Sequence, residues 1–416
     1  MEKQKVRIIK KTPTTSASVS SSKTALSLFS GAGGDTCGLE QAGWDVKFFS
    51  EISTPAILTH QTKFPHSSLL KTGNSTDIKQ LPDSTFESMR GKVNLIFAGH
   101  PCQGFSHAGK KRSDDPRNEL VHEFVRAAKI IQPEWIVGEN VRGLLSRKGV
   151  YPENTPPRPV IYIIRDLFES IGYKLTWRVF DANEVKVPQC RKRLIYVGHR
   201  GTEYPHLPWE RVINKEPLKI RPLLETHLVG AVELPDIYKP AKQDARFWIE
   251  TTDEPSGTPH PNLVRLVSGI RNLSSKEKEQ QGIPKDQQAQ FTEPEGLISF
   301  GVRKGCYHGQ ILDPDGPSKT IICAYTQCPR LFVGLYNKAI SKYYARCLSI
   351  NECSRIQGFP EDYPWAGSDK DKITQIGNAV PPPLAQTIAN LLQMSTFHSV
   401  PQDAPTPTAE SDDEDQ

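Results

Sequence analysis

Three short stretches hold side chains suited to chemistry, and each lies at the end or the start of an apolar run. In Pro101-Cys102-Gln103 a thiol comes just after the run Val93–Ala98 and before a loop containing glycine and serine. A cysteine where a strand gives way to a loop is placed for attack, whereas a lone cysteine is more often a buried structural residue. In Glu139-Asn140-Val141 a carboxylate closes the next apolar run; on adjacent strands the two would bring Glu139 near Cys102. The basic stretch Gln189-Cys190-Arg191-Lys192-Arg193 opens a further run, and alone it reads as a solvated turn. A fourth stretch, Phe29-Ser30-Gly31-Ala32-Gly33-Gly34, has the glycines of a strand-to-helix turn that a cofactor can approach closely, with Phe29 able to pack on an adenine ring. Glu51 ends the next run, where an acid accepts hydrogen bonds from ribose hydroxyls. Taken singly, the glycine turn is as readily a plain tight turn, and Glu51 a surface residue.

The elements that must position these residues alternate. Ala25–Phe29, Val46–Phe49, Val93–Ala98, Trp135–Val137, Leu175–Phe180 and Leu194–Val197 read as strands. Helices are expected around Thr36–Ala42, at Pro55–Lys63 with proline in its first turn, and over Glu119–Ile131 with Leu120, Phe124, Ala127, Ala128 and Ile131 on one face. Such alternation predicts an α/β domain with a mostly parallel, Rossmann-like sheet, in which ligands bind beyond the carboxyl ends of the strands. From Arg200 to about Ala345 the pattern turns irregular and rich in proline, glycine and charge, as a smaller domain of short strands and loops would. Regular pattern returns near Arg346 and ends in an amphipathic helix carrying Val380, Leu384, Ile388, Leu391 and Leu392.

Composition sets outer bounds. The 416 residues are 37% hydrophobic and 24% charged, enough for one large domain and a smaller one. Residues 1–23 are basic and rich in serine and threonine, while 397–416 are proline-rich and then acidic; both are expected to be disordered. The charges of the two ends nearly cancel and leave +6 on the body, consistent with a polyanionic partner or simply a solvated surface. There is no apolar run of membrane-spanning length and no secretory signal, which points to an intracellular protein, nuclear in a eukaryote and otherwise cytoplasmic. None of the eight cysteines forms a C-x-x-C pair; Cys306, His308, Cys323 and Cys328 cluster without a common zinc spacing, so no metal is expected.

Read in order, the stretches FSGAGG, GHPCQGFS, DPRNEL, GENV, VPQCRKR, RCLSINECSRIQGFP and GNAVPPPLA resemble the cytosine-5 DNA methyltransferase family, over about residues 24–200 and 343–393. The resemblance implies a catalytic domain of 24–200 plus 343–396, a target-recognition domain of 201–342, S-adenosylmethionine as methyl donor, and a monomer acting on duplex DNA. It implies Cys102 as the nucleophile that adds to carbon 6 of cytosine, Glu139 as the acid at N3 and the exocyclic amine, and Arg193 at O2 of the base. Arg191 would support the same site or grip a phosphate. Phe29, Gly31, Gly33, Glu51, Pro101 and Leu120 match positions lining the cofactor, with Asn378 and Val380 returning from the far end of the chain to complete them. The last helix would then pack beside the first.

Two departures stand out. Gly73-Asn74-Ser75 replaces the usual Gly-Asp-Ile, leaving the Asn74 amide oxygen to accept from adenine. Ser53 replaces an aspartate often found after Glu-Ile. The stretch Gln103–Arg117 resembles the loop that closes over a flipped base. Gln103, Ser106, Lys110, Lys111 and Arg112 within it, together with Gln189, are the expected DNA contacts. Sequence would be read by the irregular region, where Arg265, Arg271, Asn272, Arg303 and Lys304 are candidates without a means of choosing among them. Two alternatives stay open here: a tRNA cytosine-5 methyltransferase of the same fold, and a non-catalytic DNA-binding relative. The Gly104-Phe105-Ser106 that follows the nucleophile speaks against the first. The retained Cys102, Glu139 and Arg193 speak against the second.

Overall fold

The computed structural model describes residues 23–101, 120–151, 155–214, 216, 218–224, 236–237, 247–250, 263–268, 310–325, 331–337 and 342–399. The chain begins β1 (Thr24–Leu28), α1 (Gly34–Gln41), β2 (Asp45–Ser50), α2 (Thr54–Lys63), β3 (Ser68–Leu69), α3 (Asp83–Glu87) and β4 (Leu95–Ala98). It continues with α4 (Leu120–Ile131), β5 (Trp135–Val141), β6 (Lys148–Gly149), β7 (Arg158–Pro159), α5 (Val160–Glu169), β8 (Tyr173–Asp181), β9 (Gln189–Cys190), β10 (Lys192–Arg200) and β11 (Tyr204–His206).

Seven of these strands form one sheet in the order β3-β2-β1-β4-β5-β10-β8. All neighbours from β3 to β5 are parallel, and β10 alone runs antiparallel, to β5 on one side and β8 on the other. The sheet is therefore mostly parallel, as the alternation implied. Because strand side chains alternate between faces, each strand feeds two cores. Leu26, Leu28, Ile96, Ala98 and Ile136 pack on one side with Phe124 of α4 and Phe168 of α5, while Ala25, Leu95, Phe97 and Val137 pack on the other with Leu39 of α1. Helix α5 lies outside the expected elements; its buried Ile161, Ile164, Leu167 and Phe168 give it the apolar face that holds it on the sheet.

The remaining elements are β12 (Asp236–Ile237), β13 (Phe247–Glu250), β14 (Leu263–Ser268), β15 (Gln310–Ile311), β16 (Ser318–Lys319), β17 (Leu331–Asn337), β18 (Lys342–Cys347), α6 (Ile350–Ile356), α7 (Asp369–Asn378), α8 (Pro382–Leu392) and β19 (Thr396–His398). Strands β12, β17, β18, β14 and β13 line up in that order with β15 beside β17, a second sheet within the irregular region. Strand β18 pairs with β14 as far as Arg346 and with β17 as far as Cys347, so this sheet runs past the boundary expected at 342. At the other end of the chain β19 pairs with β11, so residues 397 and 398, expected in a disordered tail, are instead part of a ribbon. Serine caps α6 and α7: Ser349 and Ser368 each form a capping box with Glu352 and Asp371.

The last helix does pack beside the first. Glycine in α1 permits it: a β-carbon at Gly34 would overlap the Val380 carbonyl oxygen, and one at Gly38 would overlap that of Pro382. Leu384, Ala385, Ile388, Leu391 and Leu392 fill the core beneath.

Candidate active site

Strand β5 ends at Glu139-Asn140-Val141 beside the start of β10, where Arg193 pairs with Val141 and Ile195 with Glu139. This register brings the Arg193 Nε to 3.0 Å from Glu139 Oε1. The Arg193 Nη1 also donates to the Lys192 carbonyl at 2.7 Å, which braces the guanidinium. Glu139 is 8% exposed, and burial raises its carboxyl above the usual range although Arg193 and Arg191 pull it down. A carboxyl so placed keeps a proton more readily than an exposed one, while the arginine fixes its orientation. On the other side β4 runs parallel to β5, with Ala98 opposite Gly138, and leads through Gly99 and His100 to Pro101.

The glycine turn lies at the same edge of the sheet. Phe29, a half-buried residue directly after β1, has φ +56°, a left-handed conformation uncommon for a non-glycine residue and typical of strained site backbones. Its amide donates to Ser50 Oγ at 3.2 Å. Gly31 donates its amide to Glu51 Oε2 at 2.8 Å, and Glu51 Oε1 accepts from Ile52 and Ser53 at 2.9 and 2.7 Å. Of the roughly four acceptor positions of a carboxylate, these fill three, leaving capacity for a hydroxyl donor. A β-carbon on Gly31 would meet nothing within 4 Å, so open space adjoins the turn, whereas one on Gly33 would strike His60 and Phe64. Pro101 and Leu120 are half-buried, Val380 is buried against α1 and Asn378 is exposed at the end of α7. The turn, the Glu51 anchor and the returning Val380 thus fit a nucleoside-bearing cofactor.

Asn74 is exposed in a tight turn closed by reciprocal 2.9 Å bonds between the backbones of Thr72 and Ser75. The residues just beyond it, Asp77-Ile78, escaped sequence reasoning. Ile78 is buried, and Asp77 accepts from Lys79 N at 3.0 Å, capping a 3-10 turn. The dipeptide itself was the available signal, since it restores the Asp-Ile pair that Gly73-Asn74-Ser75 lacks.

Gln189, expected at DNA, and Arg191, expected to support the base site or grip a phosphate, are both buried. Gln189 is fully buried; its Nε2 donates to Gln357 Oε1 at 2.7 Å and its Oε1 accepts from Ile321 N at 3.2 Å. A side chain so enclosed holds the chain crossing together and does not reach a duplex in this conformation. Arg191 is 3% exposed, its Nη1 donating to Ile321 O at 3.2 Å and its Nη2 to Gly377 O at 2.9 Å. These bonds tie the segment after β9 to Ile321 and to the end of α7. Cys102, Gln103, Ser106, Lys110, Lys111 and Arg112 lie outside the described residues, as do Arg271, Asn272, Arg303, Lys304, Cys306, His308 and Cys328. Among the described residues no group of three or more metal-binding side chains occurs, and no helix is long and apolar enough to cross a membrane.

A family model described as C-5 cytosine-specific DNA methylase matches residues 24–394. The chain belongs to that family. This DNA methylase is 31% identical over 384 residues to the Type II methyltransferase M1.HphI of Haemophilus parahaemolyticus, covering 90% of this chain and 88% of the relative. Against the Type II methyltransferase M.PspPI of Psychrobacter it is 31% identical over 390 residues, covering 92% and 82%. Two solved structures share the fold at lower identity. A putative DNA modification methyltransferase from an E. coli prophage gives a TM-score of 0.56 at 22% identity, over 90% of this chain and 99% of that one. The S. pombe Dnmt2 methyltransferase gives 0.57 at 17%, over 89% and 99%. The methylase accordingly transfers a methyl group to carbon 5 of cytosine in DNA.

Proposed function

We propose that this methylase acts on a cytosine flipped out of duplex DNA, with Cys102 as nucleophile, Glu139 and Arg193 as base-binding partners and S-adenosylmethionine as donor. The observation that carries the reading is the Glu139–Arg193 pair, 3.0 Å apart, with Glu139 on β5 beside the strand leading to Pro101 and Arg193 on β10 beyond it. Carbon 5 of cytosine is too electron-poor to attack a methyl group unaided. When the Cys102 thiolate bonds to carbon 6 and Glu139 delivers a proton to N3, the ring becomes an enamine with a nucleophilic carbon 5. The raised Glu139 carboxyl suits that delivery, and Arg193 holds it while donating to O2. S-adenosylmethionine supplies an electrophilic methyl group. Once carbon 5 carries the methyl, loss of its proton and breakage of the bond to sulfur restore the aromatic ring, and N3 returns its proton to Glu139.

Phe29, Gly31, Gly33, Glu51, Pro101, Leu120, Asn378 and Val380 would hold the cofactor, with Asp77 in place of Asn74 as the acid beside the adenine. Lys110, Lys111 and Arg112 would grip phosphates. Neighbouring bases would be read from the second sheet and its loops, because the flipped cytosine carries no information about them. The enzyme would work as a monomer. The Type II relatives favour sequence-specific modification of DNA as its role. Incubation with labelled S-adenosylmethionine and either plasmid DNA or tRNA tests this directly. Label should enter the plasmid, with bisulfite sequencing placing it at cytosines in one recurring sequence; label in tRNA alone would overturn the reading.

A further inference from the structure

Behind the end of β4 lies a buried polar network that the roles above do not use. His100 is 6% exposed, and its Nε2 lies 2.8 Å from Tyr196 Oη. The Asn140 Nδ2 donates to the His100 carbonyl oxygen at 3.1 Å and lies 3.2 Å from the ring Nδ1, while Asn140 Oδ1 accepts from Val141 N at 2.8 Å. Tyr196 is fully buried, with Phe124 and Phe168 around its ring. Its place depends on the residue opposite it on β5: Gly138 pairs with Tyr196, and any β-carbon there would overlap the tyrosine ring.

Three adjacent strands therefore each supply one part: His100 follows β4, Asn140 and Gly138 belong to β5, and Tyr196 to β10. The same three carry the proposed chemistry, with His100 two residues before Cys102, Asn140 next to Glu139, and Tyr196 three residues after Arg193. A histidine and a tyrosine in an apolar interior each lose hydration, and a hydrogen bond between them does little more than offset that loss. Two phenylalanines would fill the space at similar stability. What they could not supply is direction: a bond of this length sets the ring, and the Asn140 bond sets the peptide plane that leads into Pro101.

We propose that His100 and Tyr196, seated over Gly138, are positioning residues that fix the backbone leading into Pro101, next in sequence to Cys102, relative to Glu139. The proposal rests on the assignment of Cys102 as nucleophile. Burial lowers the His100 imidazole to about 4, against the opposing pull of a backbone hydrogen bond at Pro101, so the ring stays neutral and the network keeps one arrangement at neutral pH. A neutral ring is also the form that tolerates the Asn140 amide donor beside it.

The test uses the full chain with Tyr196→Phe, which removes a single oxygen, alongside His100→Phe, the double variant and Cys102→Ser. Turnover on unmethylated plasmid is split into kcat and KM for S-adenosylmethionine, and the thermal midpoint of each variant is recorded. Each single variant should lose about tenfold in kcat with KM nearly unchanged and a lowered midpoint from the polar group left unpaired; the double should lose no more kcat than the worse single while regaining midpoint, because both singles remove the same His100–Tyr196 bond. Unchanged kcat in Tyr196→Phe would overturn the proposal, as would losses that multiply in the double or that track the midpoint. Should His100→Phe fail to fold, Tyr196→Phe carries the comparison, with His100→Gln as the conservative partner expected to recover part of the rate. An active Cys102→Ser would refute the nucleophile assignment instead; an inactive one beside a fully active Tyr196→Phe refutes the positioning role alone.

Discussion

Gly34, the first residue of α1, lies against the carbonyl oxygen of Val380, so two segments from opposite ends of the chain meet with no room for a methyl group. Helical Gly→Ala ordinarily gains about 1 kcal/mol. Here the overlap with backbone must win, since forced overpacking costs about 1–3 kcal/mol or more. Gly34→Ala should lower the urea midpoint and weaken S-adenosylmethionine binding measured by calorimetry. Gly201→Ala, where a β-carbon meets only His199 at 3.6 Å or beyond, should change neither.

Arg191 supplies the second prediction. Its guanidinium ties β9 to Ile321 and to the Gly377–Ala379 segment. Arg191→Met should destabilise the protein by about 2–4 kcal/mol, because buried carbonyls lose a charged donor. The salt dependence of DNA binding should stay the same, whereas removing a phosphate-gripping lysine lowers its slope by about one. A lowered slope in Arg191→Met would return this residue to the DNA interface.

The third prediction concerns pH. Asp35 is 2% exposed and accepts from Ser27 Oγ at 2.5 Å, and burial pushes its carboxyl up to about 7. Its folded value lies above the unfolded one, so its contribution to stability is full below about 4 and is lost as pH rises to about 7. The buried His60 and His100 act in the opposite sense, lowered to about 3 and about 4, and cost stability as pH falls below about 6.5. Asp35→Asn isolates the first effect. The stability of the variant relative to the parent, from urea titrations between pH 5 and pH 8, should rise with pH and level off above about 7. A difference that stays flat would mean that Asp35 ionises normally.

These residues also mark what was legible in the sequence. The large sheet could be read because its central strands, β1, β4 and β5, are buried on both faces and so appear as continuous apolar runs. The strands of the second sheet, such as Leu263–Ser268 and Lys342–Cys347, mix charge with short apolar patches and look like loop until their partners are known. Helix α5 has a clear apolar face, yet it follows directly on the two-residue strands β6 and β7, where the alternation had no place for it. Within Gln189–Arg193, charge suggested solvent, but alternation along the chain turns Gln189 and Arg191 inward. The polar partners that bury them come from residues more than a hundred positions away, Ile321, Gln357 and Gly377, which no local pattern reveals. Only the family resemblance put Glu139 and Arg193 at one base; their direct pairing follows from the register of β5 and β10.

The measurement closest to the central claim is covalent capture. Plasmid-derived duplex carrying 5-fluorocytosine at the methylated position is incubated with the enzyme and S-adenosylmethionine, then run on a denaturing gel. Fluorine does not leave carbon 5 as a proton does, so the bond from Cys102 to carbon 6 should persist. A DNA-linked band should form, peptide mapping should place the link at Cys102, and Glu139→Gln should slow its appearance. A band mapped to another residue, or methyl transfer with no trapped protein, would contradict the account.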